Sequence, residues 1–296
     1  MKPPQKSYFL FRTRREADLR FYEGYDPNFL FRKADLLFFT YMRREEFKTF
    51  AESLNGPITD LTDAYFHGVA AELHCTALQQ FESLFALMLA AFQPLPHWIY
   101  LTRYRTAEIK EKAAAYVAGD IDTASGGQCS STDQFVSRAI YPGVQPPPTT
   151  DSHNESWRTS LADLNWFIIH MASHYLNSPE YNAYKHGLRV LPGSAKLLVD
   201  VSGGAKQFSP VLSMKHALSF LEIKEDNGRY VTQEITKEIN PEDAYQNMLV
   251  MATLLETIQK IRLAGLNGER VEVPLISIEQ SGLARLRPVG RFAFPL

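Results

Sequence analysis

Cysteine is scarce in this chain: 2 among 296 residues, Cys75 and Cys129. They form no CxxC pair, which excludes a disulfide framework and a multi-cysteine zinc site and fits a reducing compartment. An excess of one charge sign is missing too. The chain has 31 Lys and Arg against 33 Asp and Glu, a net charge of −2. That speaks against a general nucleic-acid coat protein, which needs a broad basic surface, but leaves room for one basic cleft. Long apolar runs are absent. The longest, Leu84 to Phe92, has nine residues, well short of a membrane span. The start Met1-Lys2-Pro3-Pro4-Gln5-Lys6 is not followed by an apolar core and a small-residue cleavage site, so a cytoplasmic protein with no membrane association is expected. Ser125-Gly126-Gly127 and Ser202-Gly203-Gly204 lack the surrounding residues of a P-loop or a dinucleotide fingerprint and read as loops. Nothing implies a cofactor.

What is present is helical periodicity. Residues 1–56 form a basic, aromatic segment in which Phe and Tyr interleave with Arg. Phe11 to Arg20 could serve as a nucleic-acid arm, but packing of its aromatics on the main domain is the expected role. Leu36 to Leu54 reads as helical and stops at Asn55-Gly56-Pro57. Thr59 to Phe92 reads as one long core helix, with Leu73, Ala77, Leu84 and Met88 at three- and four-residue steps. Thr106 to Ala118 and Thr132 to Tyr141 read as shorter helices, with a small-residue loop between them from Asp120 to Ser131. The Pro-rich stretch Pro142 to Thr150 is a connector. Asn154 to Leu176 is a second long helix, followed by a short one that restarts at Ser178-Pro179-Glu180.

After Gly187 the pattern changes. Lys196 to Ser202 and Ala217 to Lys224 read as strands. Asp226-Asn227-Gly228 reads as a hairpin turn, and Arg229 to Lys237 as the return strand. Asn240-Pro241-Glu242-Asp243 then opens a last long helix to about Leu263. The expected fold is mainly α: a helical bundle with a small antiparallel β-hairpin insertion (190–239) before the last long helix, the main domain covering 57–264. Residues 265–296 form a tail with one strand, Arg270 to Ile278.

One short stretch carries chemistry: Glu180-Tyr181-Asn182-Ala183-Tyr184-Lys185-His186-Gly187. Asn182 and His186 are four residues apart and share a helix face, as do Tyr181 and Lys185. A carboxamide, an ammonium and an imidazole within about one turn can hold a phosphate and move a proton near neutral pH. The competing role is structural, with Asn182 and His186 bonding to neighbouring helices. Glu82, inside an apolar helix, either faces solvent or needs a partner such as Lys185, His186 or His174. His170 and His174, four residues apart, could bind one metal if a third ligand came from His67, His74, Glu72 or Glu82. Without HExxH or paired Glu-x-x-His motifs, hydrogen-bonded core-edge histidines are the simpler reading, and no metal is expected.

The Tyr-Asn-x-x-Lys-His-Gly stretch on a late helix, after long bundle helices, resembles the HEPN superfamily over about residues 59–263. Active members carry an Arg, then four to six residues, then the His. Here Tyr181 stands in the Arg position, while Asn182 and His186 match. The resemblance implies a HEPN-like fold and a metal-independent ribonuclease of toxin or defence type, or a relative that binds RNA or nucleotides without cleaving. It also implies a homodimer with two motifs facing one cleft. In that role His186 and Asn182 would be catalytic. Lys185 or Arg189 would supply the cation, with Tyr181 and Glu82 beside the substrate. Lys is a point charge and does not reproduce the Arg fork, so binding is the surer expectation. Two further readings stay open: a non-enzymatic helical module that docks a protein partner, and a metal-binding bundle built on His170 and His174.

Overall fold

The computed structural model describes residues 13–53, 61–147, 153–185, 190–200, 208–226, 229–279 and 285–294. Helices α1 (Arg14–Gly24), α2 (Phe29–Met42) and α3 (Arg44–Ser53) come first, and α4 (Asp63–Ala90) follows. Next come α5 (His97–Leu101), α6 (Thr106–Val117), α7 (Ile121–Ser125), α8 (Thr132–Ile140), α9 (His153–Leu176) and α10 (Pro179–Lys185). Strands β1 (Val190–Asp200), β2 (Phe208–Asp226) and β3 (Arg229–Glu238) precede α11 (Pro241–Asn267), and β4 (Val271–Glu279) and β5 (Arg285–Phe294) close the chain. The fold is mainly α, with a small antiparallel insertion before the last long helix.

Helix α4 is the axis of the bundle. It is apolar nearly all round, which is the pattern of a helix covered on every face. Phe81, Leu84, Phe85 and Met88 are fully buried, enclosed by α2, α9, α11 and the shorter helices. The 27-residue helix α11 is set by local chemistry at both ends. The Asn240 side chain accepts from the backbone N–H of Glu242 and Asp243, Pro241 sits in the first turn, and Gly268 closes the helix at φ 72°. Among the described residues no helix is long and apolar enough to cross a membrane.

The N-terminal helices pack on the bundle as expected. Tyr22 and Ala34 are buried, and Phe38 stacks on Tyr245 of α11, ring centroids 4.1 Å apart. Three features were not anticipated. Helix α7 forms inside the presumed loop because Asp120 accepts from the Thr123 N–H and Gly126 takes a left-handed φ of 65° at its end. Helix α5 follows the Pro94–Pro96 break. The C-terminal stretch is not a loose tail: Leu275, Ile276 and Ile278 of β4 are buried, and Asp163 of α9 accepts from Ser277 Oγ and the Ile278 N–H. Strand β5 pairs antiparallel with β4.

The insertion is a three-stranded sheet in the order β1-β2-β3, antiparallel throughout. Asn227 and Gly228 of the expected turn lie outside the described residues, but the flanking register, Asp226 opposite Arg229, is that of a hairpin. The base of this sheet enters the core through buried Ala217, Leu218 and Phe220. That docking carries His216 and Lys237 to the helices beneath it.

Candidate functional site

Helix α10 is short, and its two inward-facing residues anchor it. Glu180 and Tyr181 are buried at 0% and 2% exposure. Ser178, just ahead of the helix, donates its hydroxyl to the His174 carbonyl at 2.6 Å and so ties α10 back to α9.

Glu180 Oε1 accepts from Lys237 Nζ at 2.8 Å and lies 3.3 Å from His74 Nε2. Its other oxygen has no hydrogen-bond partner among the described residues. Burial by itself raises the carboxyl; the hydrogen bonds from His74 and Lys237 and the Lys237 charge outweigh it and hold the group down to about 2. Lys237 also donates to the Asn177 carbonyl at 2.8 Å, so one strand residue closes the start of α10.

Tyr181 belongs to a second network. Its hydroxyl donates to Glu82 Oε2 at 2.9 Å, and Lys185 Nζ donates to the same oxygen at 2.6 Å. Thr106 donates to Glu82 Oε1 at 3.0 Å. The Lys185 ammonium stands 4.3 Å from the centre of the Tyr181 ring. Burial, and then the Glu82 charge, push the Tyr181 and Tyr175 phenols far up, so both stay neutral. Glu82 is therefore buried and partnered by Lys185. It does not face solvent.

The remaining candidates fall as follows. Asn182 is exposed, and Lys185 is about one-third exposed. Tyr181 and Glu82 are anchors beneath that surface. His186 and Arg189 lie outside the described residues. His170 is exposed and stacks on Trp166, ring centroids 5.4 Å apart. His174 turns to His74, 5.5 Å away between ring centres. Burial, then the charges of His74 and Lys237, lower His174 to about 4. Among the described residues no group of three His, Cys, Asp or Glu side chains converges as a metal site.

Comparison with protein-family models, with curated proteins and with solved structures finds no match.

Reading the chain as a sequence missed a polar cavity of about 600 Å³ at the start of α11, lined by Tyr41, His74, His174, Lys215, His216 and Glu238 among others. His216 is buried, with its Nε2 3.1 Å from the Tyr41 hydroxyl and its Nδ1 3.2 Å from Nδ1 of His67. Burial and the neighbouring His67, Lys215 and Arg44 lower it to about 4. No local spacing advertises this group, because α2, α4, α9, β2 and β3 each supply part of it.

Proposed function

We propose that the outer face of α10, with the adjoining start of α6, binds the phosphates of RNA or of a nucleotide. One observation carries the reading: the buried carboxylate of Glu82 fixes a partly exposed cation, Lys185, at the end of α10, and two further basic residues lie on or next to the helix of its other partner, Thr106. Lys185 is held by Glu82 and the Tyr181 ring. Arg105, exposed, precedes Thr106, another of its partners, and Lys110 lies 5.7 Å over the ring of Tyr175. Fixing Lys185 by hydrogen bond and ring removes part of the side-chain entropy that binding a phosphate would otherwise cost. Asn182 is exposed on the same short helix and offers both a donor and an acceptor to a base or a ribose. The HEPN resemblance supports the same surface, with His186 as the acid–base group of any cleavage. Tyr181 in the family's Arg position is buried, so the reading commits to binding and leaves cleavage weak or absent.

Fluorescence anisotropy with a labelled single-stranded RNA tests it. Lys185→Ala should weaken binding about ten-fold and reduce the salt slope by about one phosphate contact. Arg105→Ala should act similarly, while His186→Ala leaves binding within a few-fold. Light scattering should give a mass near twice 33.6 kDa. Absence of any RNA or nucleotide affinity at low salt removes this reading.

A second reading, a non-enzymatic docking module, has its own observation. On α2 and α3, Phe29, Leu36, Phe39, Met42 and Phe50 are each more than half exposed. Leu36, Phe39 and Met42 follow at three-residue steps. A run of large apolar side chains facing water is the mark of a protein-contact surface.

A further inference from the structure

Some 20 residues along α11 from its start, where it passes α1 and α5, lies a second cavity of about 640 Å³. Arg14, Arg15 and Arg262 line it with one carboxylate, Asp18. Two of the arginines are engaged locally. Arg15 donates from Nε and Nη2 to the Leu266 carbonyl at 2.9 and 2.5 Å. Arg14 Nε lies 3.5 Å from Asp18 and its Nη1 3.3 Å from the Pro94 carbonyl. Asp18 is engaged as well, accepting from the His97 N–H at 2.6 Å.

Arg262 is different. Its Nε is buried and has no hydrogen-bond partner among the described residues. Among the described residues no carboxylate forms an ion pair with it, although it feels the charge of Asp18 at longer range. Burial of a guanidinium without a matched anion is costly, and a fork-shaped donor set of this kind is met best by a carboxylate or a phosphate. The field in the cavity is positive: burial, then Arg262 and Arg14, hold the neighbouring His97 down to about 3. Ile261, Leu266 and Pro142 supply apolar wall. The volume is that of an ordinary small-molecule site.

We propose that this cavity binds a small organic anion, with its carboxylate or phosphate head on Arg262 and Arg14 and its apolar body against Ile261, Leu266 and Pro142. The inference does not rest on the α10 reading, since none of the residues proposed there lines this cavity.

Calorimetric titration of the full chain at constant ionic strength, with sodium octanoate in one arm and inorganic phosphate in the other, tests it. Octanoate should bind saturably at one site per chain, and Arg262→Gln should weaken it at least about ten-fold, the ordinary worth of a charge-assisted hydrogen bond. The exposed Arg270→Gln should leave it unchanged. Phosphate binding without octanoate binding assigns a phosphate head and also supports the site. No saturable heat with either probe, or equal affinity in Arg262→Gln, overturns it. If Arg262→Gln does not fold, phenylglyoxal labelling of the wild-type chain decides. The bound probe should slow modification of Arg262 and Arg14 several-fold but not that of Arg270; equal rates with and without probe overturn the proposal.

Discussion

A Lys237→Met variant is expected to lose about 2–3 kcal/mol of folding stability at neutral pH. Glu180 has no solvent exposure, and one of its oxygens already lacks a partner among the described residues. Removing the ammonium at 2.8 Å leaves His74, at 3.3 Å, as the remaining side-chain partner of the buried carboxylate among the described residues. Breaking one side of a fully buried pair costs about 3–5 kcal/mol; Lys237 is 31% exposed, which places the expectation below that range. Glu180→Gln should cost less, about 1 kcal/mol, because it removes the charge together with its desolvation penalty. The double variant Glu180→Leu with Lys237→Met should recover much of the loss, since a neutral apolar pair leaves no charge unmatched. Urea unfolding of wild type, Lys237→Met, Glu180→Leu and the double variant gives the coupling energy directly. A Lys237→Met protein within about 0.5 kcal/mol of wild type would mean that the pair adds nothing. The same variant bears on function. Glu180 anchors the first turn of α10 and the Glu82–Lys185 pair its last, so releasing one end should loosen the surface proposed to bind RNA.

Acid should destabilise the protein well before ordinary carboxylates titrate. His97, His174 and His216 are lowered from 6.5 to about 3, 4 and 4, chiefly by burial. Each stays neutral in the folded protein and takes up a proton near pH 6.5 when unfolded. The unfolded chain therefore binds more protons, and stability rises with pH. The contribution of each histidine is complete above about 6.5 and is lost as pH falls towards its folded value. Glu180 acts in the same direction lower down: held at about 2 against 4.5, it contributes fully above about 4.5 and loses that contribution between there and about 2. At about 1.4 kcal/mol per pH unit per proton, each histidine is worth about 1–3 kcal/mol by pH 4. Three together rival the whole stability of a typical domain. Urea titrations at pH 7, 6, 5 and 4.5 should show a steady fall, and His174→Gln or His97→Gln should each flatten it. Equal stability at pH 7 and pH 5 would contradict the buried, neutral state of these rings.

Much of the architecture was legible in the sequence because helices and hairpins are written in local chemistry. Asn240 with Pro241, the apolar steps from Leu73 to Met88, and the turn-favouring pair Asn227-Gly228 each act within a few residues, so α4, α9, α11 and the strands flanking that pair follow from neighbours in the chain. The pairing of Glu82 with Lys185 was legible in part, since a carboxylate in an apolar helix demands a cation. It did not follow that Tyr181, the residue in the family's Arg position, would be buried beneath that cation. Glu180 read only as part of the helix restart Ser178-Pro179-Glu180, yet it is the most deeply buried carboxylate of the site. Its partners stand 57 and 106 residues away, beyond the reach of any periodicity. The histidine-lined cavity and the arginine cavity are likewise assembled from elements far apart in sequence. A cap or a repeat is decided by bonds within one or two turns, whereas a buried charge is decided by whichever distant group the packing brings within about 3 Å, and only the tertiary structure makes that choice.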